Sequence, residues 1–207
     1  MLTAPMTTLP ASGVLYLHGF NSGYGSPKAA LMRAACHALS LPCETPQLPH
    51  RPAAALQRAE SLLAGLGKHP LLVGSSMGGF LATCLAERHG LPAVLINPAV
   101  RPARLVSEWV GESFANEHTG ERFTIERAHR EELDALTPQR VSPERYLLLL
   151  GSADETLDPA DAFVLYHGAR TVLHPGGDHV FSALEAYLPA ILAHGGHRLA
   201  PNCRAQG

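Results

Sequence analysis

With 207 residues, 46% of them hydrophobic and 16% charged, the chain has the composition of a globular protein with one full core rather than of a disordered segment. A formal net charge of −2 leaves no basic face for nucleic acid, and the longest apolar runs, Tyr146 to Leu150 and Ala93 to Ile96, are too short to span a bilayer. The scattered cysteines Cys36, Cys43, Cys84 and Cys203 form no CxxC pair, and Met1 to Gly13 lacks a basic segment ahead of an apolar block, so a reduced, cytoplasmic protein is expected. The 12 histidines are spread along the chain without metal-ligand spacing, and neither a metal nor another cofactor is expected.

In chain order, Val14 to Leu17 is a short apolar strand followed by a loop beginning His18-Gly19-Phe20. Ser26-Pro27 starts a helix, with serine as N-cap and proline at the first helical position, and Leu31, Ala34, Ala35, Ala38 and Leu39 carry the helical period. Thr45 to Leu48, bounded by Pro42 and Pro49, is predicted as a second strand. A helix from about Pro52 follows and fails near Gly65-Leu66-Gly67. Leu71 to Val73 is the next strand. Met77, Phe80, Leu81, Cys84 and Leu85 then form a helical stripe that Gly90 and Pro92 stop.

Ala93 to Ile96 is a further strand, closed by Asn97-Pro98. Residues 101–140 are more charged and read as a small helical cap insertion, with a helix over Glu126 to Leu136. Alternation then resumes: strand Tyr146 to Leu150, helix Pro159 to His167, strand Thr171 to Leu173, and a last helix carrying Leu184, Tyr187, Leu188, Ile191 and Leu192, with Pro189 as a kink or restart. The reading is one domain over 12–198, with flexible tails at 1–11 and 199–207. Strands that are apolar throughout and alternate with helices imply an α/β fold, a mostly parallel sheet covered on both faces.

In such sheets the active loops lie beyond the carboxyl ends of the strands. Gly74-x-Ser76-x-Gly78 stands between a strand and a helix, the pattern of a nucleophile on a strained turn whose neighbours must be small. A serine hydroxyl needs a histidine to take its proton and a carboxylate to orient that histidine. Of the acids in Gly151 to Pro159, Asp154 stands nearest the strand end. Asp158 precedes Pro159 and suits a helix cap, and Glu155 reaches one bond further. The strand before it ends in Asn97, which cannot supply the charge. His179 sits on the last strand-to-helix loop, whereas His174 lies near its strand and His194 and His197 lie near the chain end. The triad is therefore Ser76, Asp154 and His179. The backbone N–H groups of Phe20 and Met77 are the candidate oxyanion hole. His18, read first as a hydrogen-bonded structural residue, and the cap residues Trp109, Phe114 and Phe123 are candidate pocket residues, the last three equally suited to be the cap's own core.

Tyr16 to Ser22, Gly74 to Gly79, Asn97 to Pro102 and Gly176 to Phe181 together resemble the small bacterial YqiA-like esterases, a UPF0227-type branch of the α/β-hydrolase superfamily, over about Val14 to Ala193. The resemblance implies a compact hydrolase with the same triad, esterase activity and no cofactor; the triad's own chemistry suits the carbonyl of a small-molecule ester or thioester. An acyl thioesterase or peptidase on the same triad, and a non-catalytic binding protein on a hydrolase fold, are the competing readings. Oligomeric state is not legible.

Overall fold

The fold grows from four apolar runs, each too short for a helix and each bounded by turn residues. In the computed structural model, which describes residues 9–199, they are β1 (Val14–Leu17), β3 (Leu71–Ser75), β4 (Ala93–Ile96) and β7 (Tyr146–Gly151), buried along their whole length. Two shorter or more exposed strands, β2 (Cys43–Glu44) and β8 (Arg170–His174), close the edges of a parallel sheet of order β2-β1-β3-β4-β7-β8.

Alternate residues face opposite sides. Leu15 and Leu17 point into a core shared with α2 (Pro52–Leu63) and α3 (Met77–His89), while Val14 and Tyr16 point into one shared with α1 (Pro27–Ala38) and α7 (Leu184–His194). Burial of these faces, at roughly 25 cal/mol per Å² of apolar surface, drives the assembly. Helix ends follow local chemistry. The Ser26 side chain accepts from the N–H of Ala29, and Gly90 ends α3 in the left-handed conformation. Pro189 lies inside α7, which continues through it.

Thr45 to Leu48 does not form the expected strand; pairing stops at Glu44. Pro46 has no N–H to give a ladder, and the N–H of Leu48 instead donates to His18 Nε2 at 3.0 Å. Between β4 and β7 the insertion holds α4 (Pro102–Glu108), a hairpin of β5 (Ser113–Ala115) and β6 (Arg122–Thr124), and α5 (Arg127–Leu136). The hairpin is an addition to the helical cap read from sequence, since three-residue strands are too short to show a period. Arg51, ahead of α2, pairs with Glu126 and Glu132 and so ties this insertion to the sheet's helical layer. α6 (Pro159–Leu165) links β7 to β8.

The tails expected at 1–11 and 199–207 fall mostly outside the described residues, as does Cys203. Ala11, however, is tied down: its N–H donates to Gly195 O at 2.8 Å and its carbonyl accepts from His197 Nε2 at 2.7 Å. Among the described residues no helix is long and apolar enough to cross a membrane.

Chain order places the reversal of winding between β1 and β3: from β1 the chain moves out to β2, then returns to β1's other side. A crevice at the carboxyl ends of strands forms at such a switch point, and the loops after β1 and β3 meet there.

Candidate active site

Ser76 joins β3 to α3 with φ 55° and ψ −120°, a backbone state that costs a non-glycine residue about 1–3 kcal/mol. The surroundings hold it. Its N–H donates to Ile96 O at 3.0 Å, and its carbonyl accepts from Gly79 and Ala99 at 2.9 and 3.0 Å. The turn is so tight that a Cβ on Gly74 would lie 2.2 Å from Gly78 O, and one on Gly78 would lie 2.1 Å from Leu17 O. Both positions are closed to any side chain.

The serine Oγ lies 3.1 Å from His179 Nε2, and His179 Nδ1 lies 3.0 and 2.9 Å from the two oxygens of Asp154. The three side chains come from the loops after β3, β7 and β8, and 103 residues separate Ser76 from His179. A carboxylate only accepts, so Nδ1 carries the proton and donates to Asp154, leaving the Nε2 lone pair facing the serine hydroxyl. Asp154 Oδ1 also accepts the N–H groups of Thr156 and Leu157 at 2.9 and 2.8 Å, and its side chain is only 2% exposed.

The other acids of that loop serve elsewhere. Asp158 caps α6 by accepting from Ala160 N–H at 2.8 Å. Glu155 accepts the backbone N–H of His179 at 3.0 Å, and that bond is the main reason its carboxyl lies below its ordinary range. His174 Nδ1 meets the Tyr187 hydroxyl at 2.9 Å, and His194 Nε2–H donates to Arg145 O at 2.9 Å, so neither joins the cluster at Ser76.

Asn97 contributes what sequence reading did not foresee. Rejected as the acid, it is a buried clamp between the acid and histidine loops. Its Nδ2 donates to Asp178 O and His179 O at 2.9 and 3.0 Å, and its Oδ1 accepts Gly151 N–H at 2.8 Å. The residue takes φ 40°, a state asparagine tolerates better than most. An asparagine at the end of a buried strand, followed by proline, was the available signal.

On the other side of Ser76, Gly19 approaches so closely that a Cβ there would lie 3.2 Å from the serine Cβ. Asn21, at φ 52°, turns the chain just after Phe20. Phe20 follows the close approach at Gly19 and Met77 follows the serine itself, and among the described residues the N–H of neither donates to a protein acceptor. His18 is held by its own bonds. Nε2 accepts Leu48 N–H, Nδ1–H donates to Gly19 O at 2.9 Å, and burial depresses its pKa. It shapes the loop as a neutral residue.

Gly19, Phe20 and Met77 form one end of a cavity of about 50 Å³ that runs between α2, α3 and the insertion. His18 and Phe123 line it; Trp109 and Phe114 do not. These two pack instead around Phe20, with ring centroids 5.3 and 5.1 Å from it, and so buttress the loop from behind. Asn21 Nδ2 donates to Ala115 O and Asn116 Nδ2 to Ser22 O, pinning the hairpin to that loop.

A parallel sheet wound this way, with a serine on a strained turn after β3 and an acid and a histidine on later loops, defines an α/β-hydrolase fold. The chain belongs to the uncharacterised protein family UPF0227, whose family model matches residues 13–195. Solved structures share the fold at low identity. The ferulic-acid-bound Est1E of Butyrivibrio proteoclasticus superposes with a TM-score of 0.64 at 14% identity, covering 92% of this chain and 91% of that one. A monoacylglycerol lipase of Paleococcus ferrophilus gives 0.61 at 17%, covering 87% and 94%. An esterase domain from Rhodothermus marinus gives 0.59 at 18%, covering 93% and 88%.

Proposed function

We propose that the protein is a serine esterase acting on small-molecule carboxylic esters. The observation that carries this is the continuous relay from Asp154 through His179 to Ser76, with every link between 2.9 and 3.1 Å. In this reading Ser76 Oγ gives its proton to His179 Nε2 and attacks the carbonyl carbon. The oxygen that gains negative charge meets the N–H groups of Phe20 and Met77, the latter at the positive end of α3. Collapse breaks the ester bond, and the alcohol leaves with the proton from Nε2. Water, activated by the same nitrogen, then releases the acid and restores Ser76. Asp154 holds the imidazole in the required tautomer and offsets its transient charge. The esterases and the lipase that share this fold support the reading.

A fluorophosphonate probe tests it, because phosphonylation needs an activated serine. Stoichiometric labelling of the intact protein, lost in Ser76→Ala, is expected, together with hydrolysis of p-nitrophenyl butyrate. A folded protein that takes no label, or a Ser76→Ala variant that labels equally, refutes it.

A further inference from the structure

The cavity beside Ser76 is apolar along its walls, where Leu81, Val106, Phe123, Ile125 and Leu133 face it, yet it is not apolar throughout. His129, at the start of α5, also lines it and is only 2% exposed. Its Nδ1 accepts the N–H of Glu126 at 3.0 Å. A neutral imidazole has a single proton, so that proton sits on Nε2. Burial, the largest influence, and the charge of Arg51 both keep the ring neutral. Nε2 is buried and has no hydrogen-bond partner. A second orphan lies in the same cavity: Asn21 Oδ1 is buried and unpartnered, while its Nδ2 is already used on Ala115 O.

The other polar side chains there have partners. Both ring nitrogens of His18 are used, both amide atoms of Asn116 are used, and His50 Nδ1 donates to Glu121 at 2.9 Å. Buried donors and acceptors are nearly always satisfied, and leaving one bare costs about 1–3 kcal/mol. One free donor and one free acceptor on residues lining a cavity that is bordered by Gly19, Phe20 and Met77, the neighbours of the nucleophile, therefore describe a ligand, not only a wall.

Building on the esterase reading, we propose that this cavity receives the acyl part of the substrate and that this acyl group carries a hydroxyl remote from the scissile carbonyl, accepting a hydrogen bond from His129 Nε2–H. A hydroxyl is the small group that can answer either orphan, since it both donates and accepts. A plain alkyl chain of the same length fills the passage but leaves His129 Nε2–H unpaired, whereas a hydroxyl gives it a partner. The site then discriminates by polarity as well as length, and the penalty for the wrong group is larger than for a missing methylene.

Binding without turnover tests this. Isotope-labelled Ser76→Ala protein is titrated with primary amides of butyric, pentanoic and hexanoic acids, each with and without a terminal hydroxyl, and followed by NMR. For at least one chain length the hydroxylated amide binds about tenfold more tightly or better, the expected worth of one buried hydrogen bond against an unpaired donor. The His129 Nε2–H resonance moves with it, and His129→Phe brings the affinity ratio to about one or below. Alkyl amides that bind as tightly at every length, a ratio unchanged in His129→Phe, or an unmoved Nε2–H resonance overturn the proposal. Should His129→Phe not fold, the resonance and the affinity ratio in the Ser76→Ala protein decide alone. Absent fluorophosphonate labelling would refute the esterase reading separately, because these affinities do not depend on catalysis.

Discussion

Replacing Asn97 by aspartate swaps an NH₂ for an oxygen and leaves the side chain's shape unchanged. The oxygen would face Asp178 O and His179 O at the 2.9 and 3.0 Å now spanned by hydrogen bonds, while the bond from Gly151 N–H survives. Two bonds of about 1 kcal/mol are lost and two carbonyls are left facing a charge, so the native state loses about 3 kcal/mol at neutral pH. At this chain length each kcal/mol shifts Tm by about 2–4 °C, which predicts a fall of about 10 °C. The sign of the pH dependence follows. Only the protonated carboxyl can donate to those carbonyls, so its folded pKa is raised above the unfolded value. The deficit against wild type is therefore full once pH exceeds the folded pKa and shrinks as pH falls toward the unfolded one, about 4. Thermal unfolding followed by circular dichroism at about pH 8 and about pH 5 reads both effects. Because the clamp sets the backbone of His179, kcat on p-nitrophenyl butyrate falls about tenfold or more, with KM nearly unchanged. A variant whose Tm and kcat match wild type at the higher pH would refute the clamp.

Asp154→Asn keeps the side chain's size but offers His179 Nδ1 an amide, and turnover is expected to fall on the order of 10⁴-fold, as for the corresponding serine-protease change, with the unfolding midpoint little altered; steady-state kinetics check it. Gly78→Ala would place a methyl 2.1 Å from Leu17 O, whereas Gly65→Ala meets nothing within 4 Å. The first variant should fail to give soluble folded protein and the second should stay within about 0.5 kcal/mol of wild type in urea; equal stabilities would contradict the close approach. His18, His129 and His194 are all held below the ordinary value of 6.5, chiefly by burial. The unfolded chain thus binds protons first, and stability drops as pH falls through about 6.5 toward the folded values. Urea midpoints that do not decline between about pH 7.5 and about pH 5.5 would count against neutral, buried histidines.

Patterns within a few residues were readable without coordinates. The strand, glycine-flanked serine and helix over Leu71–His89 form a local unit whose steric demands are written in Gly74 and Gly78. Asp158 declared itself a cap because capping involves only its own next residues. The order of Ser76, Asp154 and His179 was legible because parallel winding delivers every βα loop to one end of the sheet. The hairpin in the insertion was not, because its three-residue strands carry too little periodicity, and neither was the early end of β2, where Pro46 interrupts the ladder.

What the chain determined by itself is which side chains are the candidates for chemistry and which end of the sheet presents them, because apolar period, turn sterics and winding rules act over short spans. Tertiary structure alone decided three further matters: that Asn97 fastens the acid and histidine loops, that Trp109 and Phe114 support Phe20 rather than line a pocket, and that His129, which lines the cavity next to Gly19 and Met77, keeps a buried Nε2 without a partner. Each joins groups far apart in sequence. Whether a polar atom finds a partner there depends on the packing of several elements at once, and no local pattern records that.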